Sequence, residues 1–157
     1  MKIILMTIGK TGDKEMVPLI DRYIDRVRHM APFEYRVLPD VKVNKNAGPE
    51  RQKELEGDLL LSNIAGGDVV VLLDERGKMP TSRQFAADLD RMMTNTQRNI
   101  FFVIGGPYGF SDAVYARADR MMALSAMTLT HEMARLFMAE QVYRAMTILR
   151  GMPYHHD

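Results

Sequence analysis

Three short segments of the chain combine residue types that suit close contact between a backbone and a small ligand. One is IGGPYGF at residues 104–110, another is LSAMTLTH at 124–131, and the third surrounds Leu73 and Asp74. Glycines let a backbone approach a ligand closely, and N–H and C=O groups between apolar side chains can hold the edge of a flat heterocycle. Together the segments indicate a site for an adenine-containing ligand without phosphates, although each alone is also compatible with an ordinary turn.

Several familiar ligand motifs are absent from the chain. Neither G-x-G-x-x-G nor G-x-x-x-x-G-K-[ST] occurs, and the G-x-S-x-G pattern of hydrolases is missing too. His131 and Glu132 begin an H-E-x-x-H pattern, but the fifth residue is Arg135, so this zinc site fails. Cysteine is absent, which excludes thiolate metal sites and cysteine nucleophiles. We therefore expect no metal and no nucleoside triphosphate.

A regular alternation of strands and helices must position the three segments. We predict strands at 2–8, 33–38, 68–78 (stopping at Asp74), 99–106 and 121–125, and helices at 13–29, 49–65, after Thr81 or Ser82, from Ser111 to 118 and from Thr130 to 150. This alternation predicts an α/β fold with a mostly parallel sheet and helices on both faces, in a single domain spanning residues 1–157. Ligands of such sheets bind beyond the carboxyl ends of the strands, where the three segments fall.

The last predicted helix carries more apolar side chains than one buried face needs. One side can pack on the sheet and the other on a second copy of the chain, so a symmetric dimer is predicted. The apolar residues concerned are Met133, Leu136, Phe137, Met138, Val142, Met146, Ile148 and Leu149.

Charge and hydropathy set limits on partners and location. The 157 residues include 21 basic and 20 acidic side chains, a balance that gives no general attraction to nucleic acid or membranes. No apolar run is long enough to span a membrane, and the apolar start is too short for a signal peptide, so we predict a cytoplasmic protein. An RNA partner would need a local basic surface. Lys42, Lys45, Arg51 and Lys53 could form one, or could be a solvated loop and helix face.

Five segments, taken in their order and spacing, resemble the RlmH family of SPOUT-class RNA methyltransferases. The resemblance covers nearly the whole length, and residues 40–52 match more loosely. The segments are LDERGK at 73–78, IGGPYGFSD at 104–112, LSAMTLTHEMAR at 124–135, AEQVYRAMTI at 139–148 and PYHH at 153–156.

The resemblance implies a fold, a reaction and a cofactor site. It implies a SPOUT-type α/β domain with a C-terminal trefoil knot, working as a homodimer. The implied reaction transfers a methyl group from S-adenosylmethionine to N3 of a pseudouridine in large-subunit ribosomal RNA. Gly105 and Gly106 would lie beside the cofactor because a side chain there would fill its space. The implied cofactor positions are Leu73, Gly105, Leu124, Ser125, Ala126, Met127, Thr128 and Leu129.

The resemblance also points to polar residues near the C-terminus as candidates for chemistry on the base. Arg144 could hold a phosphate or a base oxygen, or could form an i,i+4 pair with Glu140. Tyr154, His155 and His156 would lie near the target base, where an imidazole can exchange a proton near neutral pH. Alternatively, this tail is a frayed terminus. Many relatives carry arginine in place of His156, so RNA contact suits it better than a role as a base.

Three other functions remain compatible with the residues. The chain could be a SPOUT methyltransferase for another RNA, such as tRNA. It could be a ribosome-assembly factor without catalysis. It could also be a flavodoxin-like module, although IGKTGDKE after the first strand is a poor phosphate loop.

Overall fold

The computed structural model describes residues 1–157 and contains five strands and five helices in the predicted order. Most ends differ from the predicted ones by only a few residues. The strands are β1 (Ile3–Ile8), β2 (Phe33–Leu38), β3 (Val69–Lys78), β4 (Ile100–Ile104) and β5 (Arg120–Met122). The helices are α1 (Met16–Arg28), α2 (Gly48–Ser62), α3 (Ser82–Asn95), α4 (Asp112–Arg117) and α5 (His131–Leu149).

The five strands form one sheet in the order β2-β1-β4-β3-β5, and every pairing is parallel. The predicted α/β fold with a mostly parallel sheet is confirmed. A flavodoxin-like sheet has the order 2-1-3-4-5, so the exchange of β3 and β4 excludes that alternative. Because all strands run the same way, the loops at their carboxyl ends share one edge of the sheet.

The sheet is buried on both faces, and its side chains alternate between two cores. Ile3 and Leu5 face the core formed with α1, α3 and α5. Ile4 and Met6 face the core formed with α2 and α4. Strands covered on both sides read as continuous apolar runs, because both alternating sets must be apolar. Helices therefore lie on both faces of the sheet, as predicted.

Strand β3 does not stop at Asp74 as predicted but continues to Lys78. Leu73 and Lys78 both pair with Met122, so the residues between them leave the regular ladder. A side chain at Gly77 would collide with the backbone of β5, which explains how the two segments approach so closely. The displaced segment, residues 74–77, lies at the carboxyl edge of the sheet.

Hydroxyl side chains begin three of the helices, as the sequence predicts. Of the two candidates for α3, Thr81 is the N-cap: its oxygen accepts from the Gln84 N–H at 3.1 Å, and Gln84 returns the bond. Ser111 and Thr130 cap α4 and α5 by accepting from the Val114 and Met133 N–H groups, without a returned bond. No helix combines the length and apolar character needed to cross a lipid bilayer.

Candidate functional site

The C-terminal part of β3 and the loops after β4 and β5 line a cavity of about 720 Å³, a volume in the usual range for small organic ligands. We call it the pocket. Its lining includes every residue predicted to bind the cofactor: Leu73, Gly105, Leu124, Ser125, Ala126, Met127, Thr128 and Leu129. The predicted convergence of the three segments is confirmed, whereas binding of a ligand by these residues stays a prediction.

The glycine loop at residues 105–109 forms one wall of the pocket. Gly109 adopts a φ of 85°, and its N–H donates to the Gly106 carbonyl at 3.2 Å, which closes a tight turn. A Cβ at Gly105 would lie 2.9 Å from the Phe110 ring, and one at Gly106 would collide with the Glu56 carboxylate. The reason given for these glycines from the sequence is therefore wrong: protein groups, not a ligand, occupy the space a side chain would need.

The carboxyl group behind the glycine loop belongs to Glu56 on α2. The residue is only 4% exposed, and its Oε1 has no hydrogen-bond partner. Burial raises the pKa of Glu56 above its usual value, and the nearby Asp40 adds to this, while a hydrogen bond from Gln52 opposes it. The glycine loop thus packs against the Glu56 carboxyl group, whose ionisation is disfavoured by burial.

The segment 124–130 supplies another wall and leads directly into α5. Ser125 Oγ accepts from the Met127 N–H at 2.9 Å, and Thr130 Oγ1 accepts from the Met133 N–H at 3.1 Å. The Met127 side chain is 79% exposed at the pocket, where it is free to cover a ligand face. This segment is both an ordinary N-cap turn and part of the pocket wall, so the two interpretations of it are compatible.

The displaced segment of β3 places a carboxylate at the edge of the pocket. Asp74 Oδ1 accepts from the Arg76 N–H at 2.9 Å, and Oδ2 accepts from the Tyr115 hydroxyl at 2.5 Å. Burial opposes ionisation of Asp74, but the hydrogen bonds from Tyr115 and Arg76 outweigh it and hold its pKa below the usual value. The Arg76 guanidinium lies 4.3 Å from the Tyr115 ring centre. Asp74 is therefore a fixed anion at neutral pH.

The first turn of α5 presents a histidine to the pocket and an arginine to the core. Burial, together with the charge of Arg135, lowers the pKa of His131, so His131 is neutral near pH 7. Arg135 is 4% exposed and donates to the Ile8 carbonyl at 2.9 Å and to Thr11 Oγ1 at 3.1 Å. This arginine ties the pocket end of α5 to the loop after β1. The position of His131 in the pocket lining allows contact with a ligand.

A second group of polar residues, the C-terminal cluster, consists of Glu140, Arg144, Tyr154 and His155. Arg144 makes the i,i+4 pair with Glu140 at 2.6 Å, and its Nη1 lies 3.1 Å from His155 Nδ1. The Tyr154 hydroxyl donates to Glu140 at 2.8 Å. Burial and this bond to Glu140 raise the pKa of Tyr154.

The tail is therefore not frayed at Tyr154 and His155, which are half-buried, whereas His156 is exposed. None of the predicted catalytic residues, Arg144, Tyr154, His155 or His156, lines the pocket of the same chain. The structure keeps the two candidate groups apart within one copy of the molecule.

The four basic residues proposed to contact RNA divide into two pairs. Arg51 forms a salt bridge with Glu54 at 3.0 Å, and Lys53 forms one with Glu50 at 2.9 Å, both within α2. Lys42 and Lys45 lie in the loop after β2 and join no salt bridge. The solvated-helix interpretation fits Arg51, whose side chain is 54% exposed, whereas the Lys53 side chain is 22% exposed and lines the pocket. Of the four residues, only the two loop lysines have no salt-bridge partner.

Three polar residues near the pocket were missed in the sequence. Tyr115 meets a carboxylate 41 positions earlier, Glu56 packs behind a glycine 50 positions later, and Arg135 was noted only as a break in a zinc motif. No local pattern marks such long-range pairs. The one available signal was Asp74 itself, a carboxylate directly after a buried strand.

No group of three or more histidine or acidic side chains is placed to hold a metal ion.

Known proteins resemble the chain along its whole length. Residues 1–155 match the family model described as Predicted SPOUT methyltransferase. A curated protein of Parabacteroides distasonis, named Ribosomal RNA large subunit methyltransferase H, is 50% identical over 157 residues and 100% of both chains. Proteins of the same name from Christiangramia forsetii and Bacteroides fragilis are 49% and 45% identical, over 99% and 100% of both chains.

Proposed function

The chain belongs to the SPOUT methyltransferase family, and on that premise we propose that it methylates RNA of the large ribosomal subunit. In detail, the proposed reaction transfers a methyl group from S-adenosylmethionine to N3 of a pseudouridine. We propose that it takes place in the cytoplasm. The observation that carries the proposal is the convergence of three distant loops on one pocket that contains no phosphate-binding motif. Relatives at 45–50% identity over their full length support the choice of RNA.

The residues of the pocket fit a donor such as S-adenosylmethionine. The volume of about 720 Å³ accommodates an adenosine joined to a short amino acid chain. Leu73 and Leu124 offer apolar surface for an adenine, and the segment 124–129 offers backbone hydrogen-bonding groups. When bound, the donor supplies a methyl group on a positively charged sulfur, which is a good leaving group, so the protein mainly has to orient the two reactants.

On the RNA side, the proton on N3 of the base must be lost. The resulting anion is spread over the two neighbouring carbonyl oxygens, and a positioned cation or hydrogen-bond donor stabilises it. Arg144 is oriented for this by Glu140, which holds one side of the guanidinium and leaves Nη1 facing His155. In the proposal, Arg144 donates to a base oxygen, while Tyr154, His155 and His156 hold the base or the backbone near it.

A homodimer would bring these two groups of residues together. The C-terminal cluster does not line the pocket of its own chain. Met133, Phe137 and Leu149 on α5 remain 37–41% exposed, so α5 presents an apolar surface that a second copy can cover. We propose that the dimer places the cluster of one copy at the pocket of the other, in the knotted arrangement that the family implies.

Nucleoside analysis of ribosomal RNA tests the proposed function. A strain lacking this gene should lose the methylpseudouridine signal of the large-subunit RNA, and the intact gene should restore it. Mass-spectrometric mapping would measure the modification. An unchanged signal would refute the assigned base, and a protein that fails to bind S-adenosylmethionine in titration would instead fit the assembly-factor alternative.

A further inference from the structure

The acidic, basic and histidine side chains that line the pocket carry a residual negative charge. Three carboxylates face two cations and a histidine whose pKa is lowered by burial. The six residues are Asp74, Glu75, Asp112, Lys53, Arg76 and His131.

Both cations form salt bridges, Lys53 with Glu50 and Arg76 with Asp74. Lys53 pairs with Glu50 at 2.9 Å, and Glu50 does not line the pocket. Arg76 Nε lies 3.4 Å from Asp74 Oδ1, but 62% of the Arg76 side chain is exposed, whereas the Asp74 side chain is only 9% exposed. An exposed charge is screened by water and salt, whereas a buried one acts over several ångströms. Among the charged side chains that line the pocket, Asp74 is therefore the one least screened by solvent.

We propose that Asp74 is a specificity-determining residue that makes the pocket prefer a cationic methyl donor over the neutral thioether left after transfer. This inference rests on the proposed function. In the reaction the S–CH₃ bond breaks, its electron pair stays on sulfur, and a bond from N3 to the methyl carbon forms. The N3 proton leaves to a base or to water, and the sulfur loses its positive charge. Weaker binding of the thioether then favours its release.

The size of the effect follows from Coulomb's law. For an assumed separation of about 8 Å from an unpaired carboxylate, effective dielectric constants of about 20 to 40 give a preference of roughly five- to thirtyfold for the cation. The exposed Arg76 cation beside Asp74 offsets part of this, so we expect the lower end of that range. Hydrogen bonds from Tyr115 and Arg76 keep the carboxylate in place, so no reorganisation is needed when the charge on sulfur disappears.

A purely structural role for Asp74 predicts a different result. The same hydrogen bonds anchor the displaced segment of β3, so loss of the carboxylate could loosen the whole pocket. Such loosening weakens both ligands by the same factor. The ratio of the two affinities therefore separates an electrostatic role from a structural one.

Calorimetric titration of the full chain with S-adenosylmethionine and with S-adenosylhomocysteine tests the proposal. Asp74→Asn should weaken the first ligand and leave the second nearly unchanged, lowering the affinity ratio about fivefold or more. Glu75→Gln, which removes an exposed carboxylate beside it, should change the ratio by less than about twofold.

Arg76→Gln provides a second test on an exposed side chain, which keeps the proposal falsifiable if Asp74→Asn does not fold. Removing this cation should raise the preference for S-adenosylmethionine, by about twofold. Equal weakening of both ligands by Asp74→Asn, or an unchanged or lower ratio in Arg76→Gln, overturns the proposal alone. A wild-type chain that binds neither ligand overturns the proposed function with it.

Discussion

The pocket and the C-terminal cluster are built in opposite ways. The pocket is formed by loops from three strands and consists largely of backbone and small side chains. The cluster consists of charged and aromatic side chains on one helix and the tail that follows it. A site made of backbone depends on the packing of the whole sheet, whereas a site made of side chains depends on a few local contacts. Mutations should therefore separate the two.

The largest expected effect is the loss of the pocket on changing Gly77 to alanine. The new Cβ would collide with the backbone at Met121 and Met122, so β5 and the segment that follows it must shift. We expect destabilisation of roughly 1–3 kcal/mol or more, which lowers Tm by about 2–4 °C per kcal/mol. Binding of S-adenosylmethionine should fall below detection, as measured by calorimetry.

Gly66→Ala is the matched control, because nothing lies within 4 Å of a Cβ at that position. It should keep both stability and binding. If Gly77→Ala bound the donor as tightly as the wild type, the pocket would not depend on the contact between β3 and β5.

The next largest effect should separate catalysis from donor binding. Arg144→Ala removes the cation proposed to stabilise the base anion and should slow methyl transfer roughly 10²- to 10³-fold. The half-buried pair with Glu140 contributes only a few tenths of a kcal/mol, so stability should change little. The donor affinity should stay within about twofold.

Single-turnover assays with ribosomal RNA and titration with the donor would measure the two quantities on the same sample. Glu140→Gln removes the ion pair but keeps the guanidinium, so it should slow transfer less than Arg144→Ala does. Should Arg144→Ala weaken donor binding as much as it slows transfer, the two regions would not be separable.

A smaller effect concerns the pH dependence of the pocket wall. Burial raises the pKa of Glu56 in the folded chain above its value in the unfolded chain. The neutral carboxyl group therefore contributes fully to stability below the unfolded pKa, and this contribution is lost as the pH rises through the folded pKa. Glu56→Gln should remove this loss and should be more stable than the wild type at pH 8, by roughly 1 kcal/mol. Its amide can also donate toward the nearby Asp40.

Urea unfolding at several pH values would measure this difference. Glu54→Gln on the exposed face of the same helix is the control and should follow the wild type. A Glu56→Gln variant that is less stable than the wild type at every pH would show that the ionised carboxylate is the stabilising form.

The smallest effects are expected within the tail. His155 contacts both Arg144 and Asp157, whereas His156 is exposed. Changing both to alanine should reduce methyl transfer several-fold, with most of the loss reproduced by His155→Ala alone. Rates measured with saturating donor would test this ranking, and normal methylation by the double variant would rule out any role for the two histidines.

The fold was predictable from the sequence where local patterns determine it. Apolar periodicity predicts the buried strands and the final helix. Hydroxyl residues before helices predict the caps, with Thr81 as one of two candidates for α3. The resemblance is confirmed by the SPOUT family model and by the relatives named Ribosomal RNA large subunit methyltransferase H. The three loops were predictable as one pocket because parallel strands end at a common edge.

The remaining features depend on contacts that no local pattern marks. Strand β3 continues beyond Asp74 because Gly77 packs against a strand 44 residues further along the chain. The fixed charge of Asp74 requires Tyr115 from another element. The glycine loop was interpreted as room for a ligand, while Glu56 and Phe110 occupy that space. Each error arose where the tertiary neighbour, not the residue type, decides the outcome.

The order of strands in the sheet also affects how the polypeptide folds during its synthesis. Strand β1 is flanked by β2 and β4, and Ile3 pairs with Ile100. During synthesis the first strand emerges long before one of its two neighbours, so an apolar edge stays open until most of the polypeptide has been translated. Such non-local pairing slows folding and exposes the nascent chain to aggregation. The pocket lining extends to Ala134, so a methyl donor can stabilise this protein only after that part of the chain has also been made.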